Sequence, residues 1–146
     1  MRHRFNIFAD YNHFLVHDSD SHYEQLADQW TQAAVANTFV QGDDYVAVGT
    51  ARPMVVPVEV RVESSEPAIG PGQYDRVVYG TLSVPTGELV VAGPTDNGAS
   101  GGRVSVQPGA YRVRVLYSGL ETLSADGLDG DDSYVVQLWP SGEELR

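Results

Sequence analysis

Hydrophobic residues recur mainly at every second position of this chain, the spacing that returns side chains to one face of a β-strand. Residues 56–62 show it most clearly, because four valines alternate with Pro57, Glu59 and Arg61. We expect the valine face of such a strand to be buried and the other face to contact solvent. The dominant period therefore predicts a mainly all-β protein.

A second run, residues 111–117, places two tyrosines and two valines on one face and Arg112 and Arg114 on the other, which we expect to be solvated. Turns rich in glycine and proline separate the runs, and short strands punctuated in this way favour two antiparallel sheets packed face to face. The sequence thus predicts a single β-sandwich domain over residues 1–146. Further strands are predicted where β-branched and aromatic residues cluster, at residues 5–8, 11–17, 45–48, 76–84, 89–92, 103–106 and 134–139.

One segment departs from the two-residue period. Residues 23–36 are rich in helix formers and contain neither glycine nor proline. Tyr23, Leu26, Trp30 and Ala33 or Ala34 recur at intervals of three and four, so that one face of a helix would pack on the sandwich. We therefore predict one short helix near residues 22–36.

The composition changes this picture in two ways. The 146 residues contain no cysteine, which excludes a disulfide framework, a thiolate zinc site and a cysteine nucleophile. Apolar runs are only a few residues long, far short of the ~20 that cross a bilayer, and the amino terminus carries no apolar run of signal length. We expect a cytoplasmic protein without membrane association.

Charge indicates the kind of partner. Nine basic residues, all arginine, stand against 20 acidic ones, giving a formal net charge of −11. Binding to a polyanion needs basic side chains that displace condensed counterions, so direct nucleic-acid binding is not expected. The natural counterpart of such a surface is another protein, and a basic one.

Carboxylates are concentrated in the last part of the chain, where glycines separate four aspartates. A solvated hairpin turn and an acidic docking surface are two interpretations of this cluster. A calcium loop is a third, although the spacing does not follow the order of an EF-hand. The candidate partner-binding residues are Asp126, Asp129, Asp131, Asp132, Glu143 and Glu144.

The histidines suggest a metal site, because His13, His17 and His22 are interleaved with Asp18 and Asp20. On a strand, positions 13 and 17 share a face but lie about 13 Å apart, at roughly 3.3 Å per residue, which is too far for one ion. We therefore favour a polar strand end that leads into the helix, and no metal ligand is assigned.

The sequence contains no catalytic motif in its required structural context. Residues 98–102 match the letters of a G-x-S-x-G nucleophile elbow around Ser100, but the element predicted to follow them is a strand and not the helix of such an elbow, and the histidines are far away in sequence. There is no phosphate-binding G-K-[ST] loop, and the glycine-rich residues 98–102 precede a predicted strand rather than a helix. We predict a protein that is not an enzyme and has no cofactor.

The order of the elements resembles the small bacterial competence protein J family. The resemblance rests on the strand Tyr11–Val16, an acidic segment leading into Trp30-Thr31, a strand after Gly42, a strand opened by Pro108–Tyr111 and a last strand opened by Tyr134 after the aspartates. It implies a binding protein rather than a catalyst, since the founding member is regarded as an inhibitor of a DNA-entry nuclease. No functional residue of the family is carried over.

Two features depart from that family, the glycine-rich residues 98–102 and the terminal Trp139-Pro140. The predicted function is that of a non-catalytic acidic binding protein, a protein-interaction or nuclease-inhibitor-like module. The alternatives are a β-sandwich that binds a small ligand or calcium and, after it, a metal-dependent hydrolase. Partner identity, oligomeric state and strand order stay open.

Overall fold

A computed structural model of the chain describes residues 2–21, 26–69, 74–95 and 101–142. Two short helices and a single 3-10 turn interrupt an otherwise β-rich chain. The described elements are β1 (Arg2–Phe8), the 3-10 turn (Asp10–Asn12), β2 (His13–Asp18), α1 (Leu26–Gln29), α2 (Gln32–Asn37), β3 (Phe39–Gln41), β4 (Tyr45–Gly49), β5 (Val55–Val62), β6 (Arg76–Val84), β7 (Glu88–Ala92), β8 (Gly102–Ser105), β9 (Gly109–Ser118) and β10 (Ser133–Pro140).

The strands form two five-stranded sheets, with orders β1-β5-β10-β9-β6 and β3-β4-β2-β7-β8. All neighbouring strands are antiparallel except β5 and β10, which run parallel. A parallel pair requires a long connection, and the chain between β5 and β10 supplies one by forming four further strands. The predicted mainly all-β, two-sheet antiparallel architecture is confirmed, with this one parallel pair added.

The alternating runs pack as the sequence predicts. The valines of β5 at positions 56, 58 and 60 are buried, as are the tyrosines and valines of β9 that were predicted to face inward. They meet side chains of the second sheet, including Phe14, Val16 and Val91, in one continuous core. The two-residue period therefore identified the interior face of the strands at the centre of the first sheet.

Arg114 corrects the prediction of a solvated arginine face on β9. Arg112 is exposed, but Arg114 is only 2% exposed, because the chain after β5 folds over it. Its Nε donates to Gln137 Oε1 (2.7 Å) and its Nη2 to the carbonyl of Pro67 (2.5 Å). The guanidinium carbon also lies 5.4 Å from the centroid of the Trp139 ring. Hydrogen bonds and a cation-π contact together make this burial tolerable.

The predicted helical segment is confirmed within residues 26–37 and is divided into α1 and α2 at Trp30-Thr31. Thr31 caps α2, since its hydroxyl accepts the N–H of Ala34 (3.2 Å). The helices cover the outer face of the second sheet, where Leu26 packs against Leu15 of β2. Residues 22–25, which belong to the predicted helix, lie outside the described residues. None of the helices in the described part of the chain has the length and apolar character of a membrane span.

Candidate protein-interaction site

The loop of residues 119–132, here named the acidic loop, joins β9 to β10 and contains the predicted docking aspartates. Ser124 organises its tip: the hydroxyl donates to Asp126 Oδ1 (2.6 Å) and accepts the N–H of Asp129 (3.0 Å). Asp126 Oδ1 also accepts the N–H of Leu128 (3.0 Å). The bond from Ser124, followed by that from Leu128, lowers the pKa of the Asp126 carboxyl. The tip therefore presents the ionised Asp126 carboxylate on a loop whose shape is set by its own hydrogen bonds.

The end of the acidic loop is anchored in the protein interior by Asp132, which is 0% exposed. Its Oδ1 accepts a hydrogen bond from Arg52 Nε (2.6 Å) and its Oδ2 one from the Tyr134 hydroxyl (2.7 Å). The same hydroxyl accepts the N–H of Ala51 (2.7 Å), and Arg52 Nη1 donates to the carbonyl of Leu128 (3.2 Å). Burial, with the bond to Asp132, raises the pKa of Tyr134, which keeps the hydroxyl a donor.

The structure therefore divides the six predicted docking residues into three groups. Asp126, Asp129 and Asp131 are exposed and lie together on the acidic loop. Asp132 is buried against Arg52, so its carboxylate anchors the loop and is not part of the exposed surface. The pair Glu143-Glu144 lies outside the described residues.

The acidic loop lies at the end of the sandwich where β2, β6 and β10 begin and β4 and β9 end. Further carboxylates at this end belong to Asp10, Asp75 and Glu121. Arg52 and Arg76 are the described arginines here, and each is already engaged: Arg52 by the acidic loop, and Arg76 by a carbonyl of α2 (2.7 Å). This end of the molecule is therefore strongly negative.

A cavity of about 610 Å³ opens at the same end and is lined mainly by apolar atoms; we name it the apolar cavity. His13 and Trp30 form part of its wall, with ring centroids 5.3 Å apart and planes tilted by 54°. Tyr11 and Val35, also in its lining, are 74% and 60% exposed. Its volume is within the range of sites that bury a ligand or a partner's side chain. No pattern in the sequence indicated this cavity.

Backbone strain is concentrated around the apolar cavity. Three described non-glycine residues have positive φ, namely Tyr11 (54°), Asn12 (60°) and Thr38 (55°), and all three line it. Each such conformation costs on the order of 1 kcal/mol or more and persists only where the surroundings impose it. Here the Thr50 N–H donates to the Asn12 carbonyl (2.8 Å), and the Tyr117 hydroxyl donates to the Thr38 carbonyl (2.9 Å). Thr38 ends α2 in the left-handed conformation that is usual at a helix C-cap, whereas conformations like those of Tyr11 and Asn12 cluster at functional sites.

The histidines have individual structural contacts. His13 Nδ1 lies 3.1 Å from the carbonyl of Tyr11, and His17 Nδ1 lies 2.7 Å from that of Asp18. Burial lowers the pKa of both imidazoles, against smaller opposing effects that for His13 include the Asp10 carboxylate. Within the described residues, no three histidine, aspartate or glutamate side chains lie close enough to hold a metal ion. The calcium and metal-hydrolase alternatives therefore gain no site from these residues.

The two-sheet fold of this chain is shared by other solved protein structures. One is ComJ of Bacillus subtilis, described as an inhibitor of the DNA-degrading activity of NucA. It matches with a TM-score of 0.68 and 18% identity over 96% of this chain and 95% of ComJ. The resemblance inferred from the sequence is thus confirmed at the level of the fold.

A second solved structure, described as crocagin biosynthetic gene J, matches with a TM-score of 0.61 and 19% identity, over 97% of this chain and 99% of that one. No protein-family model matches the sequence, and no curated protein matches it by sequence. At these identities the two structures define the shared fold, and the residues that act must be argued from this chain itself.

Proposed function

We propose that this protein is a non-catalytic inhibitor of a basic, DNA-degrading nuclease, and that it binds its target through the exposed carboxylates of the acidic loop. One observation carries the proposal. Asp126, Asp129 and Asp131 stand exposed on a loop that is shaped by its own hydrogen bonds and anchored by the buried Arg52–Asp132 pair. A loop that is ordered before binding loses less entropy on association than a flexible one.

The electrostatics of the two partners support the same proposal. A nuclease must present basic side chains to the DNA backbone, so carboxylates held on a rigid surface compete for the groups that otherwise contact phosphates. The net charge of −11 favours encounter with such a protein and disfavours encounter with DNA. The description of ComJ as a nuclease inhibitor, on the same fold, is consistent with this type of target.

Inhibition of DNA cleavage tests the proposal. NucA and several basic nucleases are titrated with the protein at low salt, and the cleavage rate is followed with a fluorescent duplex. The double variant Asp129→Asn/Asp131→Asn should weaken inhibition by roughly tenfold, as expected when charges at an interface are removed. In the described part of the chain, Asp129 and Asp131 contribute to the hydrogen bonds of the loop through their backbone N–H groups and not through their carboxylates.

The matched control is Asp20→Asn/Asp43→Asn, which makes the same change in net charge with two exposed aspartates at the opposite end of the sandwich. The proposal predicts inhibition within about twofold of wild type for this control, because an exposed charge distant from the interface contributes little. Equal losses in both double variants would show that overall charge, and not the acidic loop, determines binding. Absence of inhibition of every basic nuclease at low salt would reject the proposal.

A further inference from the structure

We propose that the apolar cavity is the anchor of the same interface, and that it receives an aromatic side chain from a basic segment of the partner. This inference rests on the proposed function and adds to it the chemistry of the partner: a large aromatic residue flanked by arginine or lysine. The acidic loop supplies the charge that attracts this segment, and the cavity supplies the contact that holds it.

The cavity and the acidic loop are joined by one short segment of chain. Thr50 lines the cavity, and its hydroxyl donates to the carbonyl of Arg52 (2.9 Å). The guanidinium of Arg52 is in turn bonded to Asp132 and to the carbonyl of Leu128 in the acidic loop. Leu128 is itself 41% exposed. A partner that contacts the acidic loop therefore lies beside the mouth of the cavity.

The surroundings of the cavity favour a protein over a small molecule as its occupant. Tyr11 and Val35 are largely exposed, so that apolar surface extends beyond the cavity itself. A small molecule inside the cavity would leave that surface in water, whereas a docked protein would cover it. The carboxylate of Asp10, the residue before Tyr11, lies at the rim of the cavity and acts electrostatically on His13. An apolar centre with a charged rim is the usual arrangement of a protein interface.

The walls of the cavity favour an aromatic residue as the anchor. The rings of His13, Trp30 and Tyr11 lie in its lining, and aromatic side chains pack with one another in stacked or edge-on arrangements. The positive φ angles of Tyr11 and Asn12 add an independent observation, because backbone strain held at one cavity is typical of a binding surface. Flanking arginines on the partner would face the carboxylates of Asp10 and the acidic loop.

Two peptides test the inference directly, Arg-Arg-Trp-Arg-Arg and Arg-Arg-Ala-Arg-Arg, both with blocked termini. Each is titrated into ¹⁵N-labelled protein at low salt and followed by NMR. Both peptides should shift the amides of the acidic loop, because they share the same charge. The tryptophan peptide should bind at least tenfold more tightly, and it alone should shift the indole N–H of Trp30 and the amide of Val35.

The variant Val35→Glu separates the cavity from general electrostatics. Position 35 is exposed on α2, and glutamate is a better helix former than valine, so the fold should be retained. An additional negative charge alone would strengthen binding of both peptides. If the cavity is the anchor, the glutamate at its mouth should instead abolish the tenfold higher affinity of the tryptophan peptide over the alanine peptide. Ala33→Glu makes the same charge change at an exposed position of α2 that does not line the cavity, and it should preserve that advantage.

Equal affinity of the two peptides, no binding of either one, or a tenfold ratio that survives Val35→Glu would each overturn the inference. The proposed function is judged separately, by nuclease inhibition and its response to Asp129→Asn/Asp131→Asn. If that inhibition responds as predicted while the two peptides bind equally, the function stands and the cavity inference fails. If the tryptophan peptide binds preferentially at the cavity but no basic nuclease is inhibited, the site stands and the nuclease proposal fails.

Discussion

Removal of the Asp132 carboxylate should destabilise the whole protein, although the glycine- and aspartate-rich sequence around this residue predicts a solvent-exposed turn. Asp132 accepts two charge-assisted hydrogen bonds, from Arg52 and Tyr134, and is itself fully buried. Bonds to a charged group contribute about 1.5–3 kcal/mol each, and breaking a buried pair costs about 3–5 kcal/mol. The Arg52 side chain keeps 12% exposure, so water compensates in part for the lost partner. We expect Asp132→Ala to cost about 3 kcal/mol.

Urea and thermal unfolding, followed by circular dichroism, measure this loss. For a protein of this size a change of 3 kcal/mol corresponds to a melting temperature lower by about 6–12 °C. Asp131→Ala is the control, since this neighbouring aspartate is exposed, and it should change the free energy of unfolding by no more than about 0.5 kcal/mol. A loss in Asp132→Ala below about 1 kcal/mol would refute the reasoning.

A double-mutant cycle tests whether the cost comes from the pair with Arg52. If it does, Arg52→Met combined with Asp132→Ala should cost clearly less than the sum of the two single variants, because the second change removes a group already left without its partner. Additive losses would show that Asp132 acts through other contacts. Because the pair anchors the acidic loop, Asp132→Ala should also weaken nuclease inhibition at temperatures where the variant is folded.

Three further predictions follow from the described contacts. Arg114→Ala should lower the free energy of unfolding by about 3 kcal/mol in urea denaturation, because it removes buried hydrogen bonds and the contact with Trp139, and Arg114→Lys should restore little of it. Thr31→Ala should cost about 1 kcal/mol by the same assay, since α2 loses its amino-terminal cap. Burial lowers the pKa of His13 and His17 below the usual 6.5, so the unfolded chain binds protons more tightly than the folded one. The contribution of these imidazoles to the free energy of unfolding is therefore fully present above pH 6.5 and is lost as the pH falls toward their pKa in the folded protein. His17→Gln should flatten that part of the stability profile, and an unchanged profile would contradict this assignment.

The sequence predicted those parts of the fold that depend on local periodicity. The alternation in residues 56–62 and 111–117 identified β5, β9 and their buried faces, because side chains on a strand alternate between two environments. It also predicted strand through Tyr11 and Asn12, which instead form a turn with positive φ. The short strand Phe39–Gln41 was missed, because three residues are too few to show a period.

What the sequence did not predict depends on contacts between distant residues. Asp132 and Arg52 are 80 positions apart, so no local pattern distinguishes this buried carboxylate from the exposed ones beside it. Arg114 was predicted to be solvated from the alternation of residues 111–117. The prediction was wrong because the folded chain brings Pro67 over this side chain, a contact that no local pattern shows. The apolar cavity likewise arises where the turn before β2, the helices and the end of β4 meet, and no single segment carries its signature.

The central claim is that the exposed carboxylates of the acidic loop bind a basic protein, and the salt dependence of that binding tests it most directly. The dissociation constant for an inhibited nuclease is measured by calorimetry from about 0.05 M to about 0.5 M salt, for wild type and for Asp129→Asn/Asp131→Asn. We predict that wild-type affinity falls steeply with salt and that the double variant binds more weakly with a smaller salt slope. Affinity that does not change with salt, or a slope that the double variant leaves unaltered, would contradict the claim.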